Sequence, residues 1–206
     1  MSTAAKAAQA TTLPMIGEAY GGGFFTGITR DPATGKRYLN ITAGAEHELV
    51  GTWGEYGVKI EGADSFTDSL ANTHAMAAAG SELAAKVLAL SIGGHNDWAI
   101  PARDVQELQY RHFKPTTEES WANSRNGDNP NSEPVGLLYS EEDPVQTIHA
   151  AFQEGSAEAF RDTWYWSSSQ RSAYTAFTMH FADGGQLDDD KGVELRVHPV
   201  RSEFID

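Results

Sequence analysis

The order of apolar and polar positions predicts strands near both ends of the chain. Apolar and polar residues alternate in the segment 36–42, which is the pattern of a strand with one buried face. A turn across 31–35, rich in Asp, Pro and Gly, joins this segment to an apolar stretch at 24–28, so the two stretches predict a hairpin. A further short extended stretch is predicted at 53–60.

Three segments have the apolar spacing of helices and carry helix-ending residues at their boundaries. Asp64 or Ser65 serves as the cap of the first helix, and Gly80 separates the first helix from the second. The residues 114–145 are rich in Asn, Pro and Gly, and a loop of this length inside a compact domain is commonly functional or mobile. The predicted helices cover 64–79, 82–90 and 101–113.

The last part of the chain returns to patterns that are typical of strands. We predict strands at 165–168, 176–181 and 193–200, and a Gly-rich turn at 183–185 between the last two. The run of serines at 167–169 is interpreted as the end of a strand and the start of a loop.

Charge and composition exclude several classes of partner. The 206 residues include 29 acidic residues against 15 Lys and Arg, which gives a net charge of −14. Such a charge repels the phosphates of nucleic acids and of anionic membranes, so no nucleic-acid partner is expected. No apolar run approaches the length of a membrane span, so no membrane insertion is expected. The chain has no cysteine, which excludes disulfides, thiolate metal sites and a cysteine nucleophile.

Residues 1–13 form an Ala-rich arm ahead of a single domain at 14–206. The arm lacks the apolar core of a signal peptide, so we expect no secretion signal and synthesis in a cytoplasm. Its alanines either dock as a helix on a neighbouring subunit or leave the arm unstructured, and both alternatives stay open.

Three motifs and one turn carry a family resemblance. The segment 92–101 reads Ile-Gly-Gly-His-Asn-Asp-Trp-Ala-Ile-Pro, and 164–169 reads Trp-Tyr-Trp-Ser-Ser-Ser ahead of Phe-Ala-Asp-Gly-Gly at 181–185. Val-His-Pro-Val-Arg follows at 197–201, and a glycine turn lies at 20–25. Together they resemble the family named after the C-terminal domain of a bacterial collagen-like adhesin, which is common in phage and prophage genomes.

The resemblance covers residues 14–202 and implies a C-type-lectin-like fold. In this α+β fold a twisted antiparallel sheet is accompanied by two main helices and long loops, and relatives include formylglycine-generating proteins and phage tropism determinants. The large apolar side chains in and around the motifs are expected to form the structural core. These expected core residues are Trp98, Pro101, Leu108, Trp166 and Phe181.

Members of this family are often tail-fibre, receptor-binding or virion-surface proteins of phages. The resemblance therefore implies a non-enzymatic virion protein, assembled in the bacterial cytoplasm, that binds a host surface protein or glycan at a tail fibre, tail tip or virion surface. The alternative is a structural capsid or tail decoration protein that uses the same fold for protein–protein contacts. Under both hypotheses residues 1–13 attach to other virion proteins, and a homo-oligomer is expected because weak sites gain strength when displayed together.

In this fold the exposed face of the terminal sheet and its loops carry recognition. The Tyr, Arg and Ser residues near 170–175 are suitable for contact with a ligand. Alternation along the strand 176–181 predicts that Thr178 and His180 face outward if their neighbours form the core face. The candidate ligand-binding residues are Trp164, Tyr165, Ser168, Gln170, Arg171, Tyr174, Thr175, Thr178 and His180.

Enzymatic and metal sites have less support in the sequence. The chain has no Gly-x-Ser-x-Gly and no His-Glu-x-x-His, and the lack of cysteine excludes the oxidase chemistry of the formylglycine-generating relatives. A glycosidase carboxylate pair stays open among the many acidic residues. Asp188, Asp189 and Asp190 could offer oxygen ligands to calcium, although such a run is more often a solvated turn. We therefore predict no catalytic residue and no cofactor, with calcium as the one alternative.

Overall fold

The computed structural model describes residues 13–125 and 127–205. Within these residues the chain is a mixed α+β protein with three α-helices and two mostly antiparallel sheets. The predicted Ala-rich arm lies outside the described residues, except for Leu13. The helices are α1 (Ser69–Ala78), α2 (Glu82–Leu88) and α3 (Arg103–Phe113).

The strands of the described chain form two sheets where the resemblance predicts one. In chain order they are β1 (Ala19–Tyr20), β2 (Gly23–Arg30), β3 (Arg37–Thr42), β4 (Leu49–Thr52), β5 (Ser132–Glu133), β6 (Trp164–Gln170), β7 (Thr175–His180), β8 (Gln186–Asp190), β9 (Glu194–Val197) and β10 (Val200–Ile205). The first sheet has the order β1-β2-β3-β10 with β5 beside β2, and the second has the order β4-β9-β6-β7-β8. The pairing of β6 with β9 is parallel, and the other strand pairs are antiparallel.

Helix α3 contacts both sheets and is buried along most of its length. It touches β2 and β5 of the first sheet and β6 and β7 of the second. Gln106 donates its side-chain amide to the backbone oxygen of Trp166 at 2.9 Å, as a polar group in this position must find a partner. The buried polar residues of the helix are Arg103, Asp104, Gln106, Glu107 and Gln109.

The second sheet is covered on both faces. Helices α1 and α2 pack on the face opposite α3, in a cluster that includes Trp53, Met76, Leu83 and Val197. The large apolar side chains of the motifs lie inside the molecule. All five expected core residues are buried, namely Trp98, Pro101, Leu108, Trp166 and Phe181.

Helix α1 begins later than the capping pattern predicts. The Ser65 hydroxyl accepts hydrogen bonds from the backbone nitrogens of Thr67 (3.2 Å) and Asp68 (2.9 Å), so Ser65 organises a turn ahead of the helix. The Asp68 carboxylate then caps α1 by accepting from the backbone nitrogen of Ala71 at 2.9 Å. The predicted strand at 53–60 is irregular chain instead, because Gly57 turns it with a φ of 85°.

The strand predicted at 193–200 is two strands in different sheets. β9 belongs to the second sheet, and the chain crosses at His198 and Pro199 to form β10 in the first sheet. The predicted turn at 183–185 is present, but it joins β7 to β8. The pattern did not predict β8 because the charged run 188–190 is typical of a turn.

Two of the sequence motifs meet in the folded chain. Asp97 accepts hydrogen bonds from Nε (2.8 Å) and Nη2 (3.1 Å) of Arg201. Next to this pair, the backbones of Ala99 and Val200 exchange two hydrogen bonds of 2.7 and 2.9 Å. These contacts fasten β10 to the segment that leads into α3, so they fix the position of the N-terminal end of that helix.

Candidate ligand-binding site

Four of the nine candidate binding residues do not reach the surface. The side chains of Tyr165, Ser168, Gln170 and Thr178 are buried, which corrects their interpretation as contact residues. Alternation along β6 and β7 leaves no exposed face there, because helices cover both sides of the second sheet. The serines at 167–169, expected at the end of a strand, are buried within β6.

The buried candidates have partners inside the protein. The Tyr165 hydroxyl donates to the Glu48 carboxylate at 2.6 Å, and burial together with the charge of Glu48 raises the pKa of Tyr165. The side-chain oxygen of Gln170 accepts from the backbone nitrogen of Ile60 at 3.0 Å. These two side chains hold loops to the sheet and are not free to bind a ligand.

The remaining candidates differ in their exposure. Arg171 and Tyr174 are exposed at the turn between β6 and β7, and Tyr174 packs against Tyr56 with ring centroids 5.2 Å apart. The half-buried candidates are Trp164, Thr175 and His180. Two of the predicted contact residues, Arg171 and Tyr174, therefore lie at the surface in this turn.

A concavity of about 340 Å³ lies beside Arg171. Its wall is built from the first residue of α3, the loop that follows α3, and strands β7 and β8. The volume falls within the range of small-molecule sites in proteins. We call this concavity the arginine pocket, and its lining residues are Arg103, Ser124, Arg125, Arg171, Phe177, Gln186, Leu187 and Asp188.

Other concavities of similar volume have different chemistry. One of about 380 Å³ lies between the loops 114–119 and 141–146 and is rich in glutamates. One of about 400 Å³ lies at the glycine turn 20–24, and another of about 370 Å³ borders Glu48. The arginine pocket differs from these three because it brings several guanidinium groups together.

Arg103 is held between two aromatic rings at the start of α3. Its guanidinium carbon lies 4.7 Å from the ring centre of Phe66 and 5.0 Å from that of Phe177. The two rings meet edge to face, with centroids 5.6 Å apart. Burial lowers the pKa of Arg103, an effect that Asp104 opposes and the charge of Arg125 reinforces. The rings thus fix the direction of a cation that is largely removed from water.

Arg125 is buried more deeply, with 1% of its side chain exposed. Its Nε donates at 3.3 Å to the side-chain oxygen of Gln186, which also accepts from Nε of Arg103 at 3.0 Å. Nη1 lies 3.4 Å from the Glu107 carboxylate and Nη2 lies 3.8 Å from that of Asp104. Neither Nη atom has a hydrogen-bond partner within the described residues, and neither does the amide nitrogen of Gln186.

The aspartate run lies on strand β8 and does not form a turn. Asp188 pairs with Arg171, and the Asp190 carboxylate accepts from the backbone nitrogen of Gly192 at 2.9 Å. Neighbouring residues on a strand point to opposite faces, so Asp188, Asp189 and Asp190 do not converge on one cation. In the described chain, no three His, Asp or Glu side chains are grouped as metal ligands. The run therefore does not bring its three carboxylates together, and calcium at this position stays a prediction.

A second polar cluster surrounds Glu48. Nδ1 of His198 lies 3.3 Å from the Glu48 carboxylate, and Nε2 of His198 lies 2.8 Å from the backbone oxygen of Ala43. Burial raises the pKa of Glu48, but the contacts with His198, Tyr165 and Arg196 outweigh burial and hold it below its usual range. Both nitrogens of the buried His198 ring face protein acceptors, so neither is available to a substrate.

No pattern in the sequence indicated Arg103 or Arg125 as site residues. Arg103 has the position of an ordinary residue at a helix start. Arg125 lies in the loop region 114–145, and the length of that region was the one sequence feature that indicated a functional segment there. Their convergence depends on β8, which the pattern did not predict.

Two further findings bear on the interpretation of this site. None of the helices in the described ranges is both long enough and apolar enough to cross a bilayer. Comparisons of the chain with protein-family profiles, with curated proteins and with solved structures found no match. The interpretation of the arginine pocket therefore rests on its own geometry and chemistry.

Proposed function

We propose that this protein is a non-enzymatic recognition protein that binds a host surface receptor or glycan. The arginine pocket carries this proposal: three guanidinium groups and a phenyl ring line one concavity in a chain of net charge −14. Arginine and aromatic side chains supply much of the binding energy at recognition surfaces. An acidic protein that keeps several arginines together has concentrated its positive charge at a place suited to a ligand.

The turn beside the pocket extends this surface. Tyr56 and Tyr174 are exposed and lie ring to ring, and Tyr174 shares its turn with Arg171. Tyrosine offers a large, rigid contact area at low cost in conformational entropy, and it combines an apolar ring with a polar tip. A flat ring of this kind suits the apolar face of a sugar.

The finer assignment to a C-type-lectin-like domain of a phage virion protein is part of this proposal. It is supported by the quoted motifs and by the order of elements, in which a hairpin, helices, a long loop region and terminal strands follow one another. The pairing of β10 with β3 brings the last strand into the sheet of the first hairpin. The contact of Asp97 with Arg201 joins two of the motifs.

The proposal is non-enzymatic because the hydroxyl, carboxylate and histidine groups of the two clusters, which could act as nucleophile or base, are already engaged. In the arginine pocket, the Ser124 hydroxyl donates to the backbone oxygen of Gly184 at 3.3 Å, and Asp188 pairs with Arg171. Neither group is placed beside a base that could activate it, as nucleophilic catalysis requires. The cluster around Glu48 holds its histidine between two protein acceptors.

A structural decoration protein is the second candidate, and one observation favours it. Several large apolar side chains between residues 135 and 148 are exposed, and Ile148 keeps 86% of its surface. Exposed apolar groups of this kind are typical of surfaces that become covered in an assembly. The residues concerned are Val135, Leu137, Leu138, Val145 and Ile148.

Binding of the labelled protein to candidate bacterial host cells tests the first function. The test variant is Arg171→Ala with Tyr174→Ala, whose side chains are exposed and hold no core position. We expect saturable binding by the wild type and a loss of about tenfold or more in affinity for the double variant, because both anchors are removed.

The matched control is Arg30→Ala with Phe204→Ala. Arg30 and Phe204 are about as exposed as Arg171 and Tyr174, but they belong to the first sheet. Binding that the control retains and the test variant loses supports recognition at the turn. Absence of cell binding, even for multimerised protein, would leave the decoration protein as the better hypothesis.

A further inference from the structure

The arginine pocket contains more cationic hydrogen-bond donors than the protein itself satisfies. Glu107 interacts with two guanidinium groups, at 3.4 Å from Nη2 of Arg111 and 3.4 Å from Nη1 of Arg125. The same carboxylate accepts from Asn129 at 2.7 Å and from Tyr139 at 3.0 Å. Its lone pairs are therefore shared among several donors, so Nη1 of Arg125 is paired in charge with Glu107 but makes no hydrogen bond to it.

The other two carboxylates near the pocket leave these donors without a hydrogen bond. Asp104 lies 3.8 Å from Nη2 of Arg125, and its hydrogen bond comes from the side-chain amide of Asn131 at 2.8 Å. Asp188 is engaged by Arg171 at the outer rim. Buried donors without partners are costly, so an acceptor that enters from outside would be stabilised there.

The chemistry of the wall indicates what kind of acceptor fits. A guanidinium group presents N–H donors in a planar fork that matches a carboxylate or a phosphate. Phe66 and Phe177 hold the Arg103 guanidinium in one direction. The Arg103 side chain therefore loses little conformational freedom when a ligand binds. Phe177 adds apolar surface next to the cations.

The arginine pocket has room for a ligand larger than a simple ion. A volume of about 340 Å³ is many times the roughly 30 Å³ that one water occupies in the liquid. It suits a group with a ring and a charged substituent, in which the ring covers Phe177 while the anion meets the arginines.

We propose that the arginine pocket binds a monosaccharide unit that carries a carboxylate or a phosphate, with the anion held by Arg103, Arg125 and Arg171. This inference rests on the proposed function, since it names the chemical class of the glycan that the protein recognises. The amide nitrogen of Gln186 lines the pocket and has no partner within the described residues, so it is free to donate to the anion.

Calorimetric titration of the intact chain tests the inference with four small probes. These are glucuronic acid, glucose 6-phosphate, glucose and inorganic phosphate. We expect one or both anionic sugars to bind at least about tenfold more tightly than glucose and than inorganic phosphate, because charge-assisted hydrogen bonds and ring contacts then act together. The comparison of the two anionic sugars distinguishes a carboxylate from a phosphate source.

Two single variants separate the site from the overall charge. Arg171→Gln removes a cation at the pocket rim, and Arg30→Gln removes a cation of similar exposure on the first sheet. We expect Arg171→Gln to weaken binding of the anionic sugar by about tenfold and Arg30→Gln to leave it unchanged. An equal loss in both variants, or affinity for glucose equal to that for both anionic sugars, would overturn the inference. Inorganic phosphate that binds as tightly as the tighter-binding anionic sugar would also overturn it, because the site would then hold a simple ion.

The two proposals fail in different ways. Cell binding that excess anionic sugar does not compete away overturns the anionic saccharide while the recognition function stands. Tight binding of an anionic sugar that Arg171→Gln weakens supports the pocket, even if the chosen cells bind no protein. If the protein binds neither host cells nor an anionic sugar, both proposals are overturned. Arg103→Gln gives an independent check of the inner cation once circular dichroism shows that this variant is folded.

Discussion

The contact of Asp97 with Arg201 shows how single residues hold distant parts of this chain together. The guanidinium of Arg201 makes two hydrogen bonds to the Asp97 carboxylate and lies 3.4 Å from Glu203. Burial raises the pKa of Asp97, but the hydrogen bonds and charge of Arg201 outweigh burial and hold that pKa below its usual value. A carboxylate whose pKa is lowered on folding stabilises the native state in its ionised form.

Asp97→Asn is therefore expected to lower the free energy of unfolding by about 1 kcal/mol at pH 7. Hydrogen bonds to charged groups are worth more than this, but 38% of the Asp97 side chain is exposed and solvent screens the pair. Because the folded pKa is the lower one, the stabilisation is complete above the unfolded pKa of about 4 and is lost as the pH falls through the folded pKa. Urea denaturation of both proteins from pH 7 to pH 2.5 measures the difference.

The exposed residue Asp64 provides the control for this series, as Asp64→Asn. A difference between wild type and Asp97→Asn that stays constant down to pH 2.5 would contradict the role of the ionised carboxylate.

Residue by residue, the sequence indicated the core better than the surface. Trp98 and Trp166 were expected inside because large aromatic side chains rarely lie in water, and both are buried. Thr178 was expected outside by alternation, and it is buried because its strand has neighbours on both faces. The alternation of side chains along a strand predicts which residues are exposed only where one face of the sheet is in contact with water.

Among the elements, the glycine turn between β1 and β2 depends on a close approach to the motif at 92–101. A Cβ atom on Gly93 would lie 2.5 Å from the Cα of Gly22. Gly93 also has a φ of 60°, a conformation that other residues adopt only at a cost. Both the turn and the motif therefore require glycine at this contact.

We expect Gly93→Ala to destabilise the protein by about 3 kcal/mol or more, because the added methyl group meets backbone that cannot yield easily. Gly94→Ala is the control, since Gly94 has a φ of 83° and nothing within 4 Å of the added Cβ. The control is expected to lose about 1–2 kcal/mol from the backbone conformation alone. Equal losses in urea denaturation would show that the close approach adds nothing.

A helix or strand could be predicted from the sequence where its end is marked by a residue that cannot continue it. α3 was predicted well because Pro101 and Pro115 mark its limits and neither can lie inside a helix. The terminal strand pattern contained no sign that the chain changes sheets at His198 and Pro199, since apolar and polar residues alternate from 193 to 198, up to the break. Pairing between distant strands is a property of the tertiary fold that local patterns do not contain.

Across the whole molecule, charge is distributed unevenly. Glutamates gather around the concavity between the loops 114–119 and 141–146, while arginines gather at the arginine pocket. Like charges held close together repel one another, and salt screens the repulsion over about 10 Å at 0.1 M. The acidic concavity therefore opposes folding at low ionic strength.

Neutralising part of this concavity is expected to stabilise the protein. The triple variant Glu119→Gln, Glu141→Gln, Glu142→Gln should raise the melting temperature by about 2–4 °C in 10 mM salt and by less in 300 mM salt. Scanning calorimetry at both salt concentrations measures the change. Gln146→Glu adds a charge to the same concavity and should act in the opposite direction. A rise that is equal at both salt concentrations would contradict the electrostatic origin.

The arginine pocket could not be read from the sequence as a site. Arg125 and Gln186 come together only through the fold, and their region of the chain gives no periodic pattern. The turn residues Arg171 and Tyr174 could be predicted from the sequence, because polar and aromatic residues between two strands are common in binding loops. The sequence thus indicated Arg171 at the rim of the arginine pocket but did not indicate Arg125 and Gln186 in its interior.

Strand β8 has a consequence for how copies of this protein meet. In the described chain β8 is the outer strand of its sheet, and an outer strand offers free backbone groups on which another chain can assemble. Asp188, Asp189 and Asp190 occupy this edge, so two copies that approached through it would bring their aspartates face to face. We therefore expect the aspartate run to disfavour pairing of two copies through this edge, and any oligomer to form through another surface.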